Sequence, residues 1–302
     1  MKAKFRSIIR VASQSFGGEV CAAVVMLIAS STQAQNLFVS DWSSENIYEY
    51  TPGGVQSTFA SGLFAPEGLA FDSTGNLFEA DTSGNVYEYT PSGAQSTFAS
   101  GLSSPGGLAF NSAGDLFVSS WGTGGIYEFT PGGAGSTFAS GLSGPSGLAF
   151  NSVGNLFEAD AGSGNIYEFT PGGVQSTFAS GLNGLTYLAF NSAGDLFAAN
   201  GGNGTITEIT PGGAQSTFAS GLSNPNGLAF DSAGNLFEAD FYTGSIYEFT
   251  PGGARGTFAS GLNLPTGLAF QGEALPVPEP SALGLLGVGL LALLARSHKL
   301  TA

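Results

Sequence analysis

The stretch that decides the fold is Pro225-Asn-Gly-Leu-Ala-Phe-Asp-Ser-Ala-Gly-Asn-Leu-Phe-Glu-Ala-Asp240, continued by Gly244-Ser-Ile-Tyr-Glu-Phe-Thr-Pro-Gly-Gly253 and Thr257-Phe-Ala-Ser260. Near-copies fill the chain from Asn36 to about Ala274. Leu-Ala-Phe recurs at 69–71, 108–110, 148–150, 188–190, 228–230 and 268–270, and Leu-Phe opens a run at 37, 77, 116, 156, 196 and 236. A third run starts at Ile47, Val86, Ile126, Ile166, Ile206 and Ile246. Thr-Phe-Ala-Ser follows from 58, 97, 137, 177, 217 and 257. The pattern is six repeats of about 40 residues, each holding four short strands.

Each unit obeys simple rules. Asp231-Ser-Ala-Gly-Asn235 is a tight turn with Gly234 where a positive φ is needed, and Thr250-Pro-Gly-Gly253 turns the chain again. The run Gly227-Leu-Ala-Phe230 is apolar on both faces, as in a sheet packed on both sides. Tyr247 and Phe249 share one face of the third strand while Glu248 takes the other. Four such strands bury little alone, but six sheets packed radially bury one another. The fold expected is therefore all-β, a six-bladed β-propeller of four-stranded blades, with an open β-solenoid as the alternative. The array begins on a second-type strand, Leu37–Asp41, and ends on a first-type strand, Gly267–Phe270. The ring would close by pairing the C-terminal innermost strand with the N-terminal blade. Repeat boundaries fall at 36–75, 76–114, 115–154, 155–194, 195–234 and 235–274, within a propeller domain spanning 35–274.

Composition narrows the function. Between residues 36 and 274 there are 20 of the 22 acidic residues and one basic residue, Arg255. Such a field repels phosphate backbones, which excludes nucleic acid, and it attracts cations. Cys21, the one cysteine, lies in the N-terminal segment, so the domain has no thiolate chemistry.

The ends are addresses. Lys2, Lys4, Arg6 and Arg10 precede an apolar run, Val20–Ala29, and then Thr32-Gln-Ala34. This is the layout of a signal peptide over 1–34, to be cut by signal peptidase. The C-terminal segment, 275–302, holds Pro278-Glu279-Pro280, an apolar helix expected over 282–295, and a basic end led by Arg296. Fourteen apolar residues reach about 21 Å, short of the ~30 Å hydrocarbon core, so membrane contact would be transient. This tail resembles the PEP-CTERM sorting signal. The resemblance implies recognition and cleavage by an exosortase-type membrane protease, and delivery to the cell surface or extracellular matrix of a Gram-negative-type bacterium.

The repeat Pro-x-Gly-Leu-Ala-Phe-Asp/Asn-x-x-Gly-Asn/Asp-Leu-Phe-x-Ala-Asp resembles the NHL-type propeller repeat, and is similar to the gluconolactonase/regucalcin and virginiamycin B lyase propellers. The lyase resemblance implies a histidine mechanism, but the sole histidine is His298 in the tail. The lactonase resemblance implies a divalent cation, calcium or another, held at the channel mouth by Glu, Asn and Asp. At the x of Pro-x-Gly stand Glu67, Gly106, Ser146, Thr186, Asn226 and Thr266, of which Glu67 and Asn226 match in type. Asp81, Asp160 and Asp240, at the ends of second strands, are the further oxygen donors, unless they cap turns through their own backbone.

Identical copies present one residue six times, whereas a site needs different residues converging. The copies differ at Leu185-Thr-Tyr187, which replaces Pro-x-Gly, and in the loops bearing Trp42, Trp121 and Phe241-Tyr242. Trp42, Trp121, Tyr187, Phe241 and Tyr242 are candidates for stacking on sugars, or for packing loop to loop. The expectation is a secreted, non-catalytic propeller without a cofactor, binding extracellular polysaccharide or a surface protein. A divalent-cation-dependent lactonase or hydrolase is the alternative, and a purely structural matrix component the third reading.

Overall fold

The computed structural model describes residues 35–272. The signal segment, Pro278, Glu279, Pro280, Arg296 and the helix expected over 282–295 lie outside the described residues. Within them no helix is long and apolar enough to cross a membrane.

Twenty-four strands form six antiparallel sheets. Blade I contains β1 (Leu37–Asp41), β2 (Asn46–Tyr50) and β3 (Gln56–Ser61); blade II is β4 (Pro66–Phe71), β5 (Leu77–Asp81), β6 (Asn85–Tyr89) and β7 (Gln95–Ser100). Blade III is β8 (Pro105–Phe110), β9 (Leu116–Ser120), β10 (Gly125–Phe129) and β11 (Gly135–Ser140). Blade IV is β12 (Pro145–Phe150), β13 (Leu156–Asp160), β14 (Asn165–Phe169) and β15 (Gln175–Ala179). Blade V is β16 (Leu185–Phe190), β17 (Leu196–Asn200), β18 (Thr205–Ile209) and β19 (Gln215–Ser220). Blade VI is β20 (Pro225–Phe230), β21 (Leu236–Asp240), β22 (Ser245–Phe249) and β23 (Arg255–Ser260). The last strand, β24 (Pro265–Phe270), returns to blade I and pairs with β1, setting Leu37 opposite Phe270 and Val39 opposite Leu268. The closure expected from the phase of the termini is the one observed.

Five of the six innermost strands start at the proline, two residues before the Gly-Leu-Ala-Phe run that the sequence marks, and β16 starts at Leu185 in the same place. The cause is a bulge. In blade VI Pro225 pairs with Asp240 and Leu228 with Glu238, so one extra residue is accommodated between them, and every innermost strand repeats this. A bulge re-aims a side chain. Here it falls at the x and Gly positions.

Phenylalanine joins the blades. Phe117 on β9 meets Phe138 of its own outer strand and Phe150 of the next blade edge-on, at 5.0 Å each. The same trio recurs at all six interfaces. Each edge-on pair adds about 0.5–1.5 kcal/mol to the area it buries. Towards the axis the packing tightens until, in five of the six blades, only glycine fits. A Cβ on Gly227 of β20 would lie 2.1 Å from the Thr266 carbonyl oxygen on β24, and one on Gly107 would lie 2.2 Å from that of Ser146.

Candidate functional site

The bulges place the x residues around one end of the central channel, where a cavity of about 220 Å³ opens. Glu67, Gly106, Ser146, Thr186 and Asn226 line it, together with Trp121 and Tyr187. Thr266, the sixth x residue, is fully buried; its hydroxyl donates to the Pro66 carbonyl at 2.8 Å. Two other hydroxyls are likewise committed to the ring: Ser146 Oγ donates to the Thr186 carbonyl, and Thr186 Oγ1 to that of Pro225 at 2.9 Å. Glu67, Asn226 and Tyr187 are the other polar residues that the innermost strands give to the lining. Asn226 Oδ1 and Tyr187 Oη are buried without a hydrogen-bond partner among the described residues.

Tyr187 stands where the other innermost strands carry glycine, on the strand three places around the ring from Glu67. Burial, and then the negative charges of Glu67 and Glu79, hold its phenol well above the usual tyrosine range. Burial also pushes the Glu67 carboxyl up to about 7. Near neutral pH Glu67 therefore exchanges its proton readily, and the phenol remains a donor.

Trp121 reaches the cavity because Gly144 leaves room for it. A Cβ on that glycine would lie 2.9 Å from the indole. At the equivalent positions of the following blades stand Ala65, after Trp42, and Leu264, after Phe241. Neither Trp42 nor Phe241 nor Tyr242 lines the cavity; Phe241 and Tyr242 pack edge-on at 5.3 Å and Tyr242 is exposed.

The three aspartates act as latches. Asp81 accepts the backbone N–H groups of Phe64 at 2.7 Å and Ser83 at 2.8 Å. Asp160 accepts those of Ser143 and Ser163, and Asp240 those of Ser223 and Thr243. Both oxygens of each carboxylate are thus engaged by the chain. Glu67 and Asn226 alone of the expected ligands face the cavity, far short of the six or so oxygens a hard divalent cation takes. Among the described residues no three His, Cys, Asp or Glu side chains gather in one place. The donor set does not fit the cation that the lactonase resemblance implies.

Sequence reading missed the most deeply placed acids. Glu79, Glu158 and Glu238, at the centres of β5, β13 and β21, have no exposed surface, and their carboxyl oxygens have no hydrogen-bond partner among the described residues. Burial, with the neighbouring Asp160, pushes Glu158 up to about 9; burial and adjacent aspartates raise Glu79 and Glu238 well above the carboxylate range. Glu158 therefore holds its proton through neutral pH, and burial favours the neutral form of Glu79 and Glu238 in the same direction. The equivalent residues of blades I, III and V are Val39, Val118 and Ala198. The ring therefore alternates, and its repeats group in pairs. The signal lay in the copies themselves, since Leu-Phe-Glu-Ala-Asp occurs only at 77, 156 and 236.

Residues 276–299 match the PEP-CTERM protein-sorting motif. That motif implies export, a cell-surface sorting route in bacteria, and processing by an exosortase-type system. A comparison with curated proteins found no match. Similar solved structures include a chain of a nidogen/laminin complex, with 19% identity, TM-score 0.72, and 78% of this chain and 98% of that chain covered. Another is virginiamycin B lyase from Staphylococcus aureus, with 15% identity, TM-score 0.62, and 82% and 94% covered. A third is a gluconolactonase from Xanthomonas campestris, with 18% identity, TM-score 0.62, and 69% and 84% covered. These likenesses carry the fold, which hosts unrelated functions.

Proposed function

We propose that this protein is an exported binding module that holds one sugar unit of an extracellular glycan in the mouth of its propeller channel. The supporting observation is the combination at one cavity, which the side chains of Trp121, Glu67 and Asn226 line together. An aromatic face with a few convergent polar groups suits a pyranose ring. At about 220 Å³ the cavity admits one such unit, well below the volume of drug-sized pockets. The sorting tail would bring the site to where such glycans lie. A glycan array probed with the full-length chain tests this, with Trp121→Ala beside wild type. Expected is binding to saccharides by wild type and at least a tenfold loss in the variant; a blank array for wild type contradicts the reading.

One observation favours a second reading, hydrolysis of a sugar lactone. A carboxyl near 7 is matched to general acid–base work at neutral pH. Turnover of aldonolactones by wild type, abolished in Glu67→Gln, would establish that reading in place of simple binding.

A further inference from the structure

Resting on the binding reading above, we infer that the site takes the end of a glycan chain: the unit seated in the channel mouth is a terminal one. The cavity is a well with one opening. Its walls are closed because the innermost strands touch all the way round. At five interfaces glycine sets the fit: a Cβ on Gly68, Gly107, Gly147, Gly227 or Gly267 would lie within 2.6 Å of a carbonyl oxygen of the next innermost strand. At the sixth, between blades V and VI, the Thr186 hydroxyl donates to the Pro225 carbonyl at 2.9 Å. No slot is left between innermost strands through which a sugar chain would leave sideways.

The floor is Tyr187. The lining goes no further down the innermost strands than Gly107 and Tyr187, and takes in none of the Leu-Ala-Phe runs below them. The Tyr187 ring packs against the apolar cluster that includes Leu228 of blade VI, and its hydroxyl, at the far end of the side chain, is buried. The other five innermost strands carry glycine at this place, so one side chain supplies the stop. An internal unit of a glycan has its chain leaving in two directions and needs a groove open at both ends. A terminal unit has one bond leading away and needs only the mouth. The way out runs over Trp121, which lines the cavity and is still 55% exposed, so its outer face is free to carry the next unit along.

The chain has two tryptophans, Trp42 and Trp121, and Trp42→Phe leaves Trp121 as the sole reporter, so fluorescence then reads the mouth alone. The full-length Trp42→Phe protein, with wild type beside it, is titrated with dextran, pullulan and linear galactan. Each is offered as the parent polymer and as oligomers cut from it by mild acid, at equal mass of sugar. Circular dichroism and thermal melting confirm that the variant is folded. Expected, for a glycan that binds, is half-saturation by the oligomers at a mass concentration at least tenfold below that of the parent polymer, with binding that rises in step with the chain ends released. A parent polymer that binds as tightly by mass as its oligomers overturns the inference and leaves the binding reading standing. Failure of every polymer and oligomer to bind overturns both.

Discussion

At the scale of single residues, the inner wall of the ring is set by what a Cβ would touch. Gly227 has no room for one, because the Thr266 carbonyl oxygen would lie 2.1 Å away. Gly227→Ala is expected to cost about 1–3 kcal/mol of stability through overpacking, measured by urea unfolding. Gly212, in an outer turn, meets nothing closer than Thr210 Oγ1 at 4.0 Å, so Gly212→Ala should stay within about 0.5 kcal/mol of wild type. Tyr187 shows the reverse case. Its strand breaks the Pro-x-Gly pattern, so the departure was visible in the sequence. Where its hydroxyl would lie was not, because that depends on a strand on the far side of the channel.

At the scale of the strand and the blade, two kinds of contact alternate around the ring. Phe117, clamped between Phe138 and Phe150, represents the contact common to all six interfaces. Phe117→Ala should cost about 3–5 kcal/mol, seen as a lower urea midpoint. The other kind is the buried carboxyl of β5, β13 and β21. Glu158 has Asp160 as its charged neighbour. In the native state it keeps its proton up to about 9, whereas the unfolded chain releases it near the ordinary carboxylate value of 4.5. The native state thus binds more protons throughout that window, and stability falls as pH rises through it. The fall attributable to this one group between its unfolded pKa and pH 7 is on the order of 3 kcal/mol. Melting temperatures of wild type and Glu158→Gln, measured from pH 4.5 to 9, should show a visibly shallower decline for the variant. Parallel curves would mean that Glu158 is ionised or hydrated in the native protein. Strand alternation alone does not reveal such an acid, since both faces of a second strand are covered by neighbouring blades and Glu at its centre reads like any polar copy. Comparison of the copies does reveal it, because glutamate replaces Val or Ala in every other one.

At the scale of the whole molecule, β24 holds the ring shut. It pairs with β1 and packs beside β4 and β20. A chain ending after Leu262 leaves the inner edge of β1 unpaired and opens a gap between the innermost strands of blades VI and II; it should lose the single cooperative melt and be cut by protease under conditions where a chain ending after Gly272 survives. This architecture was legible from the periodicity of forty and from the phase of its ends, since turns, strand lengths and apolar runs all pointed to the same answer. The site was legible in part. Glu67, Asn226, Trp121 and Tyr187 were picked out and do meet, whereas Trp42, Phe241 and Tyr242 stand apart because no glycine opens a way for them to the axis. The most direct test of a sugar site at that axis is a crystal structure of the full chain soaked with methyl glucoside. Expected is a pyranose ring stacked on Trp121 with a hydroxyl within hydrogen-bonding distance of the Glu67 carboxyl. A sugar resting instead on Trp42 or Tyr242, with the channel mouth empty, would contradict it.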